Sequence, residues 1–343
     1  MEDSITIVLD NRDLLSGVCG ANDGNLRLIE GSLGGRIAAR GNEIRLEGAG
    51  EAGIRRFKSM MDNLIAAVKE GDDLSPEYVK ALVGNFSPQG AGKEPGETGP
   101  EKTLPLGEAP AENGADPAVG LADAAIRIPQ GFNRVFPRSR NQAAYVLGMR
   151  SCDISFGIGP AGTGKTFLAI AESLRLVLSK KMRKLVLTRP VVEAGENLGF
   201  LPGDLAQKIS PYLRPLYDAM ESLVSFETIR RLEETRAIEI APLAYMRGRS
   251  LNDCVVVLDE AQNTTKEQMK MFLTRIGQGA RAVITGDITQ IDLPRRIDSG
   301  LLHAVSVLSG VEGIHFSFLH TADVVRNPLV KKIIEAYERE TES

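Results

Sequence analysis

Cysteine is scarce in this chain. Three residues, Cys19, Cys152 and Cys254, stand far apart among 343 and form no CxxC pair, which argues against a disulfide framework or a cysteine zinc site and fits a reducing cytosol. Histidine is equally rare, and His303, His315 and His320 lack ligand-like spacing, so ordinary structural roles are expected for them. Long apolar runs are missing: none approaches the roughly 20 residues that a membrane span requires. The opening MEDSITIVLD is acidic and has no basic segment ahead of an apolar one, unlike a signal peptide. A soluble, cytoplasmic protein without membrane partners is the expectation.

Positive charge is short in the first third only. Residues 1–125 carry 12 Lys/Arg against 21 Asp/Glu, whereas residues 126–343 carry 29 against 24. The front part would repel a polyanion, and the mildly basic remainder would tolerate one.

What is present divides the chain into three stretches. In residues 1–83, ITIVL (5–9) has the pattern of a strand, NRDLLSG of a short helix stopped by Gly17, and NLRLIEGSL of a second helix. RIAAR and EIRLE flank Gly41-Asn42, a two-residue hairpin signal. Apolar residues at Ile54, Phe57, Met60, Met61, Leu64, Ile65 and Val68 then form a helical stripe. This β-α-α-β-β-α order resembles a KH module, a small α+β domain, with Gly17-Val18-Cys19-Gly20 in the place of its GxxG phosphate loop. The loop contains no Lys or Arg, so RNA binding and a docking role both remain open for it. Residues 84–124 are rich in Gly, Pro, Glu and Ala and have the composition of a disordered acidic linker. From 125 to 343, DISFGI, KLVLTR, CVVVLD, RAVITG and GIHFSF alternate with helical patterns, which predicts α/β architecture with a mostly parallel sheet.

The strongest chemical signal is GPAGTGKT, residues 159–166, between the strand DISFGI and the periodic helix FLAIAESLRLVLS. It is the GxxxxGK[ST] phosphate loop in its strand–loop–helix setting. Gly159, Pro160, Ala161, Gly162, Thr163, Gly164, Lys165 and Thr166 are therefore the candidate nucleotide-binding residues. Glycines let backbone N–H groups converge on phosphate oxygens, and the helix N-terminus adds its positive dipole end. Lys165 would reach the β- and γ-phosphates of ATP, and the Thr166 hydroxyl would ligate Mg²⁺.

CVVVLDE supplies the carboxylates such a loop needs. Asp259 is the second candidate Mg²⁺ ligand, and Glu260 the candidate base that orients or deprotonates the attacking water. RAVITGDITQ repeats the pattern of a strand ending in polar groups. If it neighbours 254–258, Thr285, Asp287 and Gln290 would lie beside the γ-phosphate, with Gln290 as its sensor. The letters DEAQ, which bring in Gln262, are similar to a helicase box but do not by themselves establish unwinding.

Together with GPAGTGKT, the stretches TRPVVEAGENLGFLPGDLAQKISPYLRPLYDAM, APLAYMRGRSLND, VVVLDEAQNTTKEQMKMFLTRIG, TGDITQIDLP and VVRNPLV resemble the PhoH family, P-loop ATPases related to superfamily 1 helicases. The KH-like front part is similar to the long form of that family, without a PIN nuclease domain. The resemblance implies a RecA-like P-loop fold, ATP and Mg²⁺ as nucleotide and ion, and RNA handling as the coupled task. It also implies that Gln142 reads adenine, that Arg189 approaches nucleic acid or phosphate, and that Arg247 and Arg249 face a neighbouring subunit or bound strand. Arg326 would then be the catalytic cation that stabilises transition-state charge. Single-stranded RNA, a homo-oligomeric ring such as a hexamer, and an rRNA-processing endoribonuclease are the implied partners. An ATP-gated adaptor for that nuclease, without unwinding, is the alternative.

Overall fold

The computed structural model describes residues 4–69, 74, 76–86, 123–132, 134–190, 205–294 and 297–324. Two compact units share them: residues up to 125 together with 136–140, and residues 126–135 together with those from 141 onward. Among the described residues no helix is long and apolar enough to cross a membrane.

In the first unit the order is β1 (Ser4–Val8), α1 (Arg12–Cys19), α2 (Gly24–Leu33), β2 (Arg36–Arg40), β3 (Glu43–Glu47), α3 (Gly50–Lys69) and α4 (Pro76–Phe86). The strands form an antiparallel sheet in the order β1-β3-β2. The hairpin is the expected one: Arg40 pairs with Glu43 around Gly41-Asn42, and Gly41 takes a φ of +70°. The stripe on α3 buries Phe57, Met60, Met61 and Leu64. Two features differ from expectation. Helix α1 runs through Gly17 to Cys19, because Gly17 is there for packing: a Cβ would sit 2.7 Å from Cγ1 of Val68 on α3. The helix ends instead at Gly20, with φ +70°. Val18 and Cys19 are consequently buried, so the middle of GVCG belongs to the core and is not an open phosphate loop. Second, α4 carries regular structure past residue 83, into the segment with linker composition.

The second unit is built on a six-stranded, wholly parallel sheet. Its strands are β4 (Ile154–Ile158), β5 (Lys184–Arg189), β6 (Ile238–Pro242), β7 (Cys254–Leu258), β8 (Arg281–Gly286) and β9 (Ile314–Phe318), in the order β6-β5-β7-β8-β4-β9. This is the mostly parallel α/β architecture of a P-loop NTPase. Five strands coincide with the apolar runs seen in the sequence, and β7 is buried at every position, as a central parallel strand must be. The sixth, β6, is an edge strand whose Glu239 and Pro242 break the apolar run. Helices α5 (Arg140–Ser151), α6 (Lys165–Leu178), α7 (Leu205–Glu221), α8 (Phe226–Glu234), α9 (Lys266–Leu273) and α10 (Gly300–Leu308) accompany the sheet.

The strand order decides where chemistry can occur. From β4 the chain crosses through α6 to β5 on one side, and from β8 it crosses through α10 to β9 on the other. A crevice therefore opens at the carboxyl ends of the adjacent strands β4 and β8, the usual ligand position in an open α/β sheet. The register brings Ile158 level with Gly286, Leu258 with Ile284, and Thr188 with Leu258. Residues that follow β4, β7 and β8 thus meet at one rim.

Candidate nucleotide site

After Ile158 the chain loops for six residues before α6 begins. Gly159 has no space for a side chain, since a Cβ would come within 2.3 Å of the Leu319 carbonyl oxygen. Gly162 and Gly164 take φ values of +84° and +79°, left-handed conformations that glycine adopts without steric cost. The turn thereby aims the unpaired N–H groups of the first turn of α6 into its own concavity.

Lys165 opens that helix and is 8% exposed. Its Nζ donates to the Gly159 and Pro160 carbonyl oxygens at 2.6 and 2.8 Å. The Pro160 carbonyl also accepts from the Thr163 hydroxyl at 2.8 Å. Burial pushes the Lys165 ammonium below its ordinary pKa, while the Asp287, Glu260 and Asp259 carboxylates, in that order, act to raise it. Those three acids face the loop across a cavity of about 260 Å³, whose other walls include Ala161, Gly162, Thr166, Phe167 and Gln290.

Each acid is held differently. Asp259, directly after β7, is buried, and its Oδ1 accepts from the hydroxyls of Thr166 and Thr285, each at 2.7 Å. Thr285 therefore serves Asp259 from the neighbouring strand β8. Glu260 sits at φ +52°, a left-handed conformation that costs a non-glycine residue energy and concentrates at functional sites. One of its oxygens pairs with Nη2 of Arg189 at 3.1 Å, and the other accepts from the Gln262 amide. Asp287 takes the backbone N–H and hydroxyl of Thr289 on Oδ1 at 2.9 and 2.6 Å. Its Oδ2 is buried without a protein partner.

Gln262 ties these parts together. It is 1% exposed; its Nε2 also donates to the Gln290 carbonyl at 3.1 Å, and its Oε1 accepts from the Asp287 N–H at 2.9 Å. Next to it, Asn263 exchanges hydrogen bonds with Asp292 at 2.8 and 3.1 Å. The segment after β7 is thus stitched to the segment after β8. The sequence brings in Gln262 through the DEAQ letters but carries no signal for this wiring, which exists only once β7 and β8 are paired.

The peripheral candidates land in mixed places. Gln142, on α5, is 3% exposed and donates Nε2 to the Thr163 carbonyl at 3.0 Å; in this structure it braces the phosphate loop. Gln290 is exposed at the rim. Arg249 forms a two-point ion pair with Glu239 at 2.6 and 3.0 Å, with Lys184 on the same carboxylate, so it is bound within its own chain. Arg247 is exposed. Arg326 lies outside the described residues.

The donor set suits Mg²⁺. Thr166 and Asp259 offer two hard oxygens 2.7 Å apart, and adjacent ligands of an octahedral Mg²⁺ with its short bonds lie about 2.9 Å from one another.

The chain is similar to known proteins over most of its length. The PhoH-like protein profile matches residues 134–338. A PhoH-like protein of Mycobacterium tuberculosis is 45% identical over 327 residues, 95% of this chain and 86% of the relative. That of Bacillus subtilis is 42% identical over 332 residues, 97% and 96% of the two chains. Protein PhoH of Escherichia coli K12 is 40% identical over 222 residues, 64% of this chain and 62% of its own. Among solved structures, the Pif1 helicase from Candida albicans aligns over 57% of this chain and 41% of that one, at 15% identity and a TM-score of 0.31, a likeness too loose to carry an argument. With its phosphate loop in place and near full-length relatives on either side, the chain belongs to the PhoH-like family.

Proposed function

We propose that the protein is an Mg²⁺-dependent ATPase that couples ATP binding and hydrolysis to the handling of single-stranded RNA. The observation that carries the ATPase reading is the convergence of the Thr166 and Thr285 hydroxyls on Asp259 beside buried Lys165. Thr166 and Asp259 would hold the ion, which neutralises charge on the β- and γ-phosphate oxygens when bound. Lys165 exchanges the loop carbonyls for phosphate oxygens, gaining an anionic partner that offsets its burial. Glu260, held by Arg189 on one oxygen and Gln262 on the other, orients the attacking water and accepts its proton. Gln290, at the rim, senses the γ-phosphate, and its carbonyl bond to Gln262 links that sensing to the base. Arg326 remains the candidate cation for the transition state, and Gln142 a candidate for the adenine edge.

The RNA part is supported by the family resemblance and by the Lys/Arg excess of residues 126–343. ATP turnover with and without single-stranded RNA tests it. Stimulation together with salt-sensitive binding is expected; neither a rate change nor binding would sink it. A second reading, an ATP-gated adaptor for an rRNA-processing endoribonuclease, is favoured by one observation. The described residues hold one parallel-sheet unit, whereas strand separation within one chain needs two such units closing on each other. Titrating such a nuclease against the ATP-bound, ADP-bound and nucleotide-free protein decides it, and equal affinities exclude gating. If unwinding occurs, several copies in a ring must share it, which mass measurement with a bound ATP analogue would reveal.

A further inference from the structure

We propose that Phe167 is the platform on which the base of the nucleotide stacks, an inference that rests on the nucleotide-site reading above. The cavity has a chemical polarity. Asp259, Glu260, Asp287 and Gln290 lie on its β7–β8 side, where ion, attacking water and γ-phosphate belong. The polyphosphate then runs along the loop toward the first turn of α6, so sugar and base must leave past that turn. Phe167 stands there. It is the third residue of α6, and helical side chains lean back toward the N-terminus, which tips its ring over the loop.

Among the described residues lining the cavity, Phe167 is the only large apolar one. It is 36% exposed at the start of a helix whose next seven residues, Leu168 to Leu174, are all buried. Its ring keeps part of its apolar surface open at the mouth of a charged cavity. It fits a planar π-system emerging from the phosphate end. Gln142, buried with its amide on the Thr163 carbonyl, is a hydrogen-bonding group that answers to an edge of the base, whereas Phe167 answers to its face.

A stacking platform has a distinctive consequence: every base has a π-face, so stacking alone reads none of them. The ring should therefore matter to adenine and guanine nucleotides alike but not to bare phosphate. Calorimetry on the full chain with Mg²⁺ tests this with three probes: a non-hydrolysable ATP analogue, its guanosine counterpart, and inorganic tripolyphosphate. Phe167→Ala should weaken both nucleotides by about 5- to 150-fold, and by a similar factor for each. Tripolyphosphate binding should stay within about twofold, and Phe167→Trp should restore nucleotide affinity. The inference is overturned if Phe167→Ala leaves nucleotide affinity unchanged. It is equally overturned if the variant weakens tripolyphosphate as much as nucleotide, since the ring would then be supporting the loop. A loss confined to one of the two nucleotides would show edge reading by the ring's neighbours and also refute it. If the parent binds neither tripolyphosphate nor nucleotide, the phosphate-site reading itself falls.

Discussion

Replacing Gln262 with leucine probes the link between the segments that follow β7 and β8. Leucine has a similar volume, so the perturbation is chemical: three hydrogen bonds disappear at a position 1% exposed. The Asp287 N–H loses its acceptor at 2.9 Å, and a buried donor left unpaired costs about 1–3 kcal/mol. The Gln290 carbonyl and the Glu260 carboxylate each lose a donor, a charged acceptor being the more expensive at about 1.5–3 kcal/mol. Against this, the variant no longer buries a primary amide. A net loss of about 3 kcal/mol follows, or roughly 6–12 °C in the melting temperature of a unit of this size. Turnover should fall further than stability explains. Glu260, held only by Arg189, can swing by about 1 Å, and misplacement on that scale costs about 100-fold. Gln262→Glu is the informative companion, because it keeps an acceptor for the Asp287 N–H while setting a second carboxylate against Glu260. It should lose turnover as severely as the leucine variant. Thermal unfolding and steady-state ATP hydrolysis measure both effects. A Gln262→Leu protein that melts and turns over like the parent would refute the wiring.

Two further outcomes follow from individual contacts. Thr285→Val keeps the shape of the side chain but removes one of the two hydroxyls on Asp259; metal ligands that lose such support weaken by about 10- to 100-fold, so nucleotide binding should need correspondingly more Mg²⁺ in a titration. Glu239→Gln should destabilise the protein by about 2 kcal/mol at neutral pH, with the gap closing in acid. Hydrogen bonding from the Arg249 guanidinium, opposed by burial and helped by Lys184, holds the Glu239 carboxyl at about 2, against its ordinary 4.5. A depressed folded-state pKa confers stability that is fully present above the unfolded value and is lost as pH falls through the folded one. Urea unfolding of both proteins at pH 7, 4 and 3 should show that convergence.

The phosphate loop was legible because its eight residues sit between a strand and a helix, and local pattern alone determines that geometry. Asp259 and Glu260 were legible for the same reason: an apolar run that ends in two acids needs a compensating partner. What escaped was set by tertiary pairing. Edge strand β6 was missed because Glu239 and Pro242 interrupt its apolar pattern, and Glu239 is tolerated there only through Arg249 and Lys184. Gly17 reads locally as a helix stop, although its lack of a side chain answers to Val68, 51 positions on along the sequence. Thr285 and Gln262 carry polar letters with many possible uses, and only the adjacency of β7 and β8 assigns them to Asp259 and Glu260.

The claim on which the rest depends is that Glu260 activates water at an Mg²⁺–ATP site. Glu260→Gln keeps the side chain's size and its place beside Arg189 and Gln262 but removes the base. Binding of Mg²⁺–ATP and single-turnover hydrolysis should be measured on the same preparation of this variant. If Glu260 is the base, affinity stays within a few-fold of the parent and hydrolysis slows by about 100-fold or more. Hydrolysis at the parent rate would contradict that role.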